Sequence, residues 1–252
     1  MSYDNFIWFM YAWIGLAIIL FPIQLKTTAP YGRHTNKKWG KIIDNRLGWV
    51  IMEVISPLAF AFFFLTGDNA KTTPMWIFFG LWMTHYTYRS IIFPFRTKTA
   101  GKSIPLAIVL FAILFNVVNG FTNGYYLGSL GLAYPEEWIY DPRFIIGILV
   151  FFTGAFINIQ ADNVLINLRQ PGEKGYKIPQ GRLYRRISCP NYFGEILEWT
   201  GFAIMCWNIA AFGFVIWTAS NLIPRAISHH KWYNEKFEYY PKSRKAIIPF
   251  VW

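Results

Sequence analysis

Two polar side chains lie inside apolar stretches of the sequence and could act on a substrate oxygen. Glu53 occurs in WVIMEV, and Tyr86 occurs in HYTYR. An ionisable residue within an apolar run predicts a functional site, because a charged group is expensive to bury in a bilayer. A tyrosine hydroxyl can donate a proton or a hydrogen bond, and a neighbouring carboxylate can orient it. The alternatives are a structural hydrogen bond at Glu53 and an interfacial aromatic anchor at Tyr86.

A second group of polar residues suits a phosphorylated cofactor. Asn158 and Asp162 are four residues apart in an apolar run, so they share one face of a helix. The Asp162 carboxylate could accept hydrogen bonds from ribose or amide groups, and Arg169, Lys177 and Arg225 could neutralise phosphates. Hydrogen bonding between helices is the alternative for the amide, and a purely topological role is the alternative for the basic residues.

These residues flank a basic loop that is rich in glycine and proline and separates two apolar runs within 157–199. Glycine and proline pairs break helices, so the chain leaves one helix here and begins another. Asn191, Glu195 and Glu198 follow the break at Pro190, where the helix dipole favours carboxylates in any case. We interpret the stretch as a cofactor-binding lip; a basic loop without a ligand is the alternative.

The composition is that of a membrane protein. The chain has 252 residues and is 54% hydrophobic, 20% aromatic and 15% charged, whereas soluble domains carry about 25% charged residues. The net charge of +11 does not predict nucleic-acid binding, because the basic residues lie between apolar runs. Cys189 and Cys206 form no spacing motif, and His229 and His230 have no further ligand at suitable spacing. We therefore expect no disulfide framework and no metal site.

The apolar runs alternate with basic segments. The runs lie at about 6–25, 48–66, 75–95, 104–127, 143–166 and 195–223. All but two of the 24 Lys and Arg residues fall in the segments 26–47, 89–102, 167–187 and the tail from 224. Basic loops stay in the cytoplasm, so the run at 195–223 must cross twice, with a turn near Asn208. This pattern predicts an all-α integral membrane protein with seven transmembrane helices, the N-terminus outside and the C-terminus cytoplasmic. We expect the aromatic tail 228–252 at the membrane surface.

Six motifs with charged or polar residues follow one another along the sequence. They are WVIMEV at 49–54, HYTYR at 85–89, INIQAD at 157–162, LRQPGEKGYKIPQG at 168–181, NYFGEILEW at 191–199 and FEYYPKSRKAIIPF at 237–250. With these motifs the sequence resembles the steroid 5α-reductase family, nearest to its type 2 pattern. The resemblance implies seven transmembrane helices, NADPH, and reduction of the C4–C5 double bond of a 3-oxo-Δ4 steroid such as testosterone or progesterone. It implies a lipophilic steroid and the bilayer as partners, with no nucleic acid and no obligate protein partner.

The resemblance also implies roles for individual residues within a single domain, with a substrate half at about 1–130 and an NADPH half at about 131–252. Glu53 and Tyr86 would hold the 3-keto oxygen, with Tyr86 stabilising the developing enolate and Glu53 aligning it. Met52 and Asn119 complete the expected substrate site. The expected cofactor residues are Asn158, Asp162, Arg169, Tyr176, Lys177, Asn191, Glu195, Arg225, His229, Tyr233, Arg89 and Lys102.

Three departures from the family pattern affect substrate range and cofactor affinity. Met52 stands where the type 2 pattern has glutamine, and Lys177 stands where an arginine is expected. The segment SCPN at 188–191, which contains a proline, replaces the usual run of small residues before the asparagine. A lysine offers phosphate a point charge instead of a bidentate grip. The alternatives are a reductase of a polyprenol or a trans-2-enoyl lipid, a membrane methyltransferase, and a transporter or lipid-binding protein. The membrane would be the endoplasmic reticulum in a eukaryote and the inner membrane in a bacterium.

Overall fold

The computed structural model describes residues 1–99, 101–131, 134–169, 173 and 175–251. Its α-helices are α1 (Tyr3–Lys26), α2 (Asn45–Thr66), α3 (Thr73–Thr87), α4 (Phe93–Arg96), α5 (Leu106–Tyr125), α6 (Pro142–Ile166), α7 (Pro190–Cys206) and α8 (Ile209–Lys236). Two π-helical turns, Tyr88–Ile92 and Tyr126–Leu130, follow α3 and α5. Two short strands, β1 (Ile42–Asp44) and β2 (Ser103–Pro105), pair antiparallel. Four 3-10 turns occur at Gly32–His34, Lys37–Trp39, Glu136–Tyr140 and Arg182–Arg185; the last is called the arginine turn.

Long apolar helices dominate the chain. Among the described residues, five helices are long and apolar enough to cross a membrane, namely α1, α2, α5 with its π turn, α6 and α8. The α7 helix has 17 residues, fewer than the roughly 20 of an untilted span. A continuous helical path runs from α3 through the first π turn into α4. The prediction of a mostly helical integral membrane protein is confirmed, while the number of seven spans and the orientation of the termini stay predictions.

The turn between α7 and α8 lies where the sequence predicts it. Trp207 has a φ of 44° and ends α7, and Asn208 caps α8 by accepting a hydrogen bond from the Ala211 N–H at 2.9 Å. An asparagine side chain at this position satisfies one of the free N–H groups of the first helical turn. The two helices extend beyond 195–223 on both sides, as a hairpin of sufficient length requires.

The chain divides into two compact units. The first comprises Met1–Ile7 and Ala29–Asp141, and the second comprises Trp8–Thr28 and Pro142–Trp252. In the first unit, α5 packs closely on α2 at two glycines. A Cβ on Gly120 would lie 2.7 Å from the Ser56 carbonyl oxygen, and one on Gly124 would lie 2.5 Å from that of Phe60. Small residues of this kind let helix backbones approach in a membrane protein.

In the second unit, glycines likewise allow a close approach of two helix backbones, those of α6 and α7. A Cβ on Gly147 would lie 2.7 Å from the Gly201 carbonyl oxygen, and one on Gly194 would lie 2.5 Å from the Asn158 nitrogen. The contacts run in opposite directions along the two helices, which are therefore antiparallel. This close packing places the C-terminal half of α6, with Asn158, against the start of α7.

The tail after α8 packs within the second unit. The Ser188 N–H donates to the Lys245 carbonyl oxygen at 2.9 Å, and the Lys245 N–H donates to that of Arg186 at 2.9 Å. Tyr240 and Arg244 are each 2% exposed. The expectation that the aromatic tail residues lie at headgroup level is wrong for Tyr240, because Tyr240 and Arg244 are buried against the segment leading into α7; the membrane-surface position of the tail as a whole stays a prediction. The beginning of the predicted tail, as far as Lys236, belongs to α8.

Candidate active site

Tyr86 lies in the last turn of α3 and is 4% exposed. Its phenol oxygen accepts a hydrogen bond from the Asn119 Nδ2 group of α5 at 3.2 Å. The Asn119 Oδ1 atom accepts from Asn123 Nδ2 at 3.2 Å, which fixes which end of the Asn119 amide faces Tyr86. A phenol that accepts one hydrogen bond can still donate its own proton to another oxygen. The contact joins two residues that the sequence assigns to the substrate site.

The surroundings of Tyr86 hold its ring in place. The Trp82 ring lies 5.3 Å from the Tyr86 ring, and the His85 ring lies 5.1 Å away in an edge arrangement. The Ser90 hydroxyl donates to the Tyr86 carbonyl oxygen at 2.6 Å. Ser90 belongs to the first π turn, and π turns within helices occur frequently at functional sites.

The Glu53 side chain lies on α2 and is partly buried. The preceding residue, Met52, is buried, and its carbonyl oxygen accepts a hydrogen bond from Asn116 Nδ2 at 2.7 Å. Asn116, Asn119 and Asn123 follow at spacings of three and four residues, so one face of α5 carries all three amides. Hydrogen bonds join that face to α2 at the Met52 carbonyl oxygen and to α3 at the Tyr86 phenol oxygen. The pairing of Glu53 with Tyr86 stays a prediction.

Two of the expected cofactor cations lie in the first unit. The Arg89 guanidinium carbon lies 5.2 Å from the Trp49 ring centroid and 4.9 Å from that of Phe93. These cation–π contacts hold a charge against an aromatic surface. The Lys102 side chain is exposed, and its backbone carbonyl oxygen accepts from the Asn45 N–H at 3.0 Å. The roles of both residues in cofactor binding stay predictions.

In the second unit, four of the expected cofactor residues form one hydrogen-bonded cluster across α6 and α7. The Asn158 Nδ2 group donates to the Asn191 carbonyl oxygen at 3.0 Å and to Glu195 Oε2 at 3.5 Å. The Asn191 Nδ2 group donates to Asp162 Oδ1 at 3.1 Å. Asp162 is 1% exposed. We call these four residues the amide–carboxylate cluster.

The α8 helix carries a row of polar side chains in the same unit. Arg225, His229 and Tyr233 are four residues apart and share one buried face. The Tyr192 hydroxyl accepts from Arg225 Nε at 3.1 Å and lies 3.2 Å from His229 Nε2. Tyr192, which links the start of α7 to these side chains, is not among the site residues predicted from the sequence. Its only signal is its place directly after Asn191.

The predicted lip contributes exposed groups. The Arg169 Nη1 group donates to the Gly175 carbonyl oxygen at 3.3 Å. Lys177 forms an ion pair with Glu173 at 2.5 Å, and both side chains are well exposed, so this pair adds little stability. The Tyr176 ring lies 4.7 Å from the Trp232 ring in an edge arrangement. Four further residues of the lip, Gln170, Pro171, Gly172 and Lys174, lie outside the described residues.

Two buried phenols support the cluster from outside the long helices. The Tyr184 hydroxyl, in the arginine turn, donates to the Ala161 carbonyl oxygen at 3.3 Å. Burial raises the Tyr184 pKa well above its usual value, and the Asp162 charge adds to this increase. Burial also raises the pKa of Tyr240, which shares a 2.6 Å hydrogen bond with the Ser188 hydroxyl. Both phenols therefore stay neutral at physiological pH.

The second unit thus combines buried hydrogen-bonding groups with cations at its margin. Carboxylate and amide groups can bind hydroxyl and amide groups of a ligand, and guanidinium groups can bind its phosphates. Within the described ranges, no group of three or more His, Cys, Asp and Glu side chains could hold a metal ion. The arrangement suits an organic ligand that carries both sugar hydroxyls and phosphate.

Comparison with known proteins identifies relatives of this chain. A family model described as 3-oxo-5-alpha-steroid 4-dehydrogenase matches residues 102–252. The chain is 38% identical to the steroid 5-alpha-reductase DET2 of Gossypium hirsutum, over 97% of both chains. It is 40% identical to DET2 of Arabidopsis thaliana, over 89% of this chain and 88% of the relative. It is 39% identical to 3-oxo-5-alpha-steroid 4-dehydrogenase 1 of Homo sapiens, over 94% of this chain and 91% of the relative.

The similarity extends through the motifs that hold Glu53, Tyr86 and the amide–carboxylate cluster, because it covers nearly the full length of both chains. Its level also exceeds what unrelated apolar helices would produce with their charged loops in register. The chain belongs to the steroid 5α-reductase family and is an oxidoreductase that acts on CH–CH groups.

Proposed function

We propose that the protein reduces the C4–C5 double bond of 3-oxo-Δ4 steroids, such as testosterone or progesterone, with NADPH. The single observation that carries this proposal is the buried Tyr86 phenol, whose oxygen accepts a hydrogen bond from Asn119. A phenol held in a buried site is suited to polarising a ketone. Membership of the family supplies the class of reaction.

In this proposal Tyr86 donates a hydrogen bond to the 3-keto oxygen. The chemistry that NADPH would supply when bound is a hydride for C5, which would leave NADP⁺. Negative charge then develops on the 3-oxygen, where the Tyr86 hydroxyl stabilises it. The Asn119 amide donates to the phenol oxygen and stabilises the charge that this oxygen gains as its proton shifts towards the substrate. Glu53 aligns Tyr86, and protonation of C4 by water, which leaves hydroxide to the solvent buffer, completes the reduction. Stabilisation of a developing oxyanion by a preorganised donor is usually the largest catalytic contribution.

The residues of the second unit fit NADPH. Asp162 would accept hydrogen bonds from ribose or amide groups, while Asn158, Asn191 and Glu195 hold the site in shape. Among the cations, Arg225 is buried and oriented by Tyr192. Arg169 and Lys177 are nearer the surface, and Lys177 would break its ion pair with Glu173 in order to bind a phosphate. The proposal accordingly assigns substrate chemistry to the first half of the chain and most of cofactor binding to the second, with Arg89 and Lys102 as the cofactor residues of the first half.

The decisive experiment is reduction by the purified full-length protein in lipid nanodiscs. We expect one 5α-reduced 3-oxo steroid for each NADPH oxidised, with the product identified by mass spectrometry and its C5 configuration by NMR. Tyr86→Phe should abolish most turnover and leave NADPH affinity unchanged. Tyr88→Phe, which removes a hydroxyl two residues further on, is the matched control and should retain activity.

Two results would contradict the proposal. One is wild-type turnover by Tyr86→Phe, which would remove the phenol from the chemistry. The other is oxidation of NADPH with a polyprenol or a trans-2-enoyl lipid while steroid enones remain unchanged. The apolar helices support a membrane location, which the proposal assigns to the endoplasmic reticulum in a eukaryote or to the inner membrane in a bacterium.

A further inference from the structure

An apolar cleft in the second unit lies beside the amide–carboxylate cluster but does not include it. It runs between the C-terminal half of α6 and the arginine turn and has a cavity volume of about 80 Å³. Its walls are Phe156, Ile157 and Val164 on α6, with Leu183 and Tyr184 opposite. Such a lining suits a hydrocarbon chain.

The cleft is continuous with an exposed apolar stripe on α6. Ile145, Leu149, Phe152 and Phe156 recur at helical spacing and are 46%, 63%, 55% and 59% exposed. Because α6 is long and apolar enough to cross a bilayer, this stripe would meet acyl chains rather than water. Phe156 belongs to both the stripe and the cleft. An acyl chain could therefore enter the cleft from the bilayer without crossing water.

The opposite side of the cleft carries positive charge. Arg182 lines it, and Arg185 and Arg186 follow as exposed side chains. None of the described residues that line the cleft is acidic. Arg182 has a φ of 47° and follows Gly181, which has a φ of 82°. Few side chains other than Asn and Asp adopt this left-handed backbone, so the arginine is held in an uncommon conformation.

We propose that the cleft binds an anionic glycerophospholipid, with one acyl chain against α6 and the headgroup phosphate on Arg182. From Phe156 to Val164 the helix rises about 12 Å, which provides a wall for the part of the acyl chain nearest the glycerol. A guanidinium group can bind two phosphate oxygens at once. Basic residues near the membrane surface favour lipids with net negative charge over zwitterionic ones. The site is separate from the proposed steroid and cofactor chemistry.

Native mass spectrometry of the full-length protein tests this inference. The protein is stripped of lipid in detergent and then mixed with phosphatidylglycerol, phosphatidylcholine or inorganic phosphate. We expect one retained phosphatidylglycerol, about fivefold less retained phosphatidylcholine, and no thermal stabilisation by inorganic phosphate. A lipid that binds only the folded state should raise the melting temperature with its concentration.

Matched variants separate the headgroup contact from general attraction. Arg182→Gln should lower phosphatidylglycerol retention about tenfold, as expected for loss of a charge-assisted hydrogen bond. Arg185→Gln, which removes an exposed arginine that does not line the cleft, should leave retention within about twofold of wild type. Val164→Trp should fill the cleft and abolish the adduct, whereas Leu149→Trp, on the exposed stripe, should not.

Three outcomes would overturn the inference. The first is equal retention of the anionic and zwitterionic lipids. The second is an equal effect of Arg182→Gln and Arg185→Gln, which would indicate diffuse charge attraction. The third is a lipid-free dimer that Val164→Trp dissociates, which would identify a second copy of the chain as the occupant.

Discussion

Asn119→Leu tests how the proposed catalytic phenol is held. Leucine branches at the same carbon as asparagine and has the same number of side-chain heavy atoms but no N–H group, so the substitution removes the 3.2 Å hydrogen bond to the Tyr86 oxygen. The neighbouring Asn123 amide keeps an acceptor, because it also donates to the Asn119 backbone carbonyl oxygen at 3.1 Å. The stability lost should therefore be about 1 kcal/mol, the net contribution of one hydrogen bond.

The effect on turnover should be larger than the effect on folding. As the phenol shares its proton with the substrate, the Tyr86 oxygen gains negative charge, and a hydrogen bond to a charged group contributes about 1.5–3 kcal/mol. Its loss corresponds to a decrease in kcat of about 10- to 150-fold. Since the charge develops only in the transition state, KM for the steroid should change little.

A double-mutant cycle with Tyr86→Phe provides the assay. If Asn119 acts through the phenol, Asn119→Leu should lower kcat less than about twofold when Tyr86 is already phenylalanine. Asn116→Leu is the control, because Asn116 lies on the same face of α5 but donates to the Met52 carbonyl oxygen. Its effect should be the same in both backgrounds. Equal factors for Asn119→Leu in both backgrounds would refute the reasoning.

The remaining predictions concern the cofactor, the topology and the pH dependence of stability. Asp162→Ala should weaken NADPH binding more than tenfold, about 1.4 kcal/mol or more; unchanged affinity in a cofactor-fluorescence titration would remove Asp162 from the site. In a background without native cysteines, cysteines at 175 and 243 should be labelled from the cytoplasmic side and one at 68 from the other side. Labelling of 175 and 243 from opposite sides would contradict the seven-helix prediction. The raised pKa of Tyr184 contributes stability that is complete below about pH 10 and is lost as pH rises through the folded-state pKa. Tyr184→Phe should reduce this alkaline loss in thermal unfolding, and an identical alkaline profile would contradict the assignment.

Local patterns carried much of the information about the helices. The apolar runs and the glycine–proline breaks predicted a helical membrane protein, because backbone groups in lipid must satisfy their hydrogen bonds within a helix or a barrel. The α7–α8 turn at Asn208 also followed from local features, since a run of that length is too long for one span and asparagine is a favoured cap. The face shared by Asn158 and Asp162 needed only the helical period.

The contacts that each helix face makes with other helices could not be predicted from these local patterns. Helical spacing gives the side chains that point together, but it does not give the rotation of a helix or the neighbour that it meets. Tyr86 reaches Asn119 across 33 positions of the chain, and Tyr192 connects to Arg225 over the same separation. Nothing in the immediate surroundings of Tyr192 distinguishes it from an ordinary aromatic residue at a membrane interface.

The sequence by itself determined the family, the apolar helices and the polar residues that interrupt them, because these depend on residue type and on periods of a few residues. The tertiary structure alone decided which of those polar residues meet. Closely packed glycines bring α6 against α7, and the hydrogen bonds from Asn158 to Asn191 and from Asn191 to Asp162 form there. The C-terminal tail is a second example. Its aromatic and basic composition predicted a location at the membrane surface. The burial of Tyr240 and Arg244, in contrast, accompanies backbone hydrogen bonds to a segment more than 50 residues earlier in the chain.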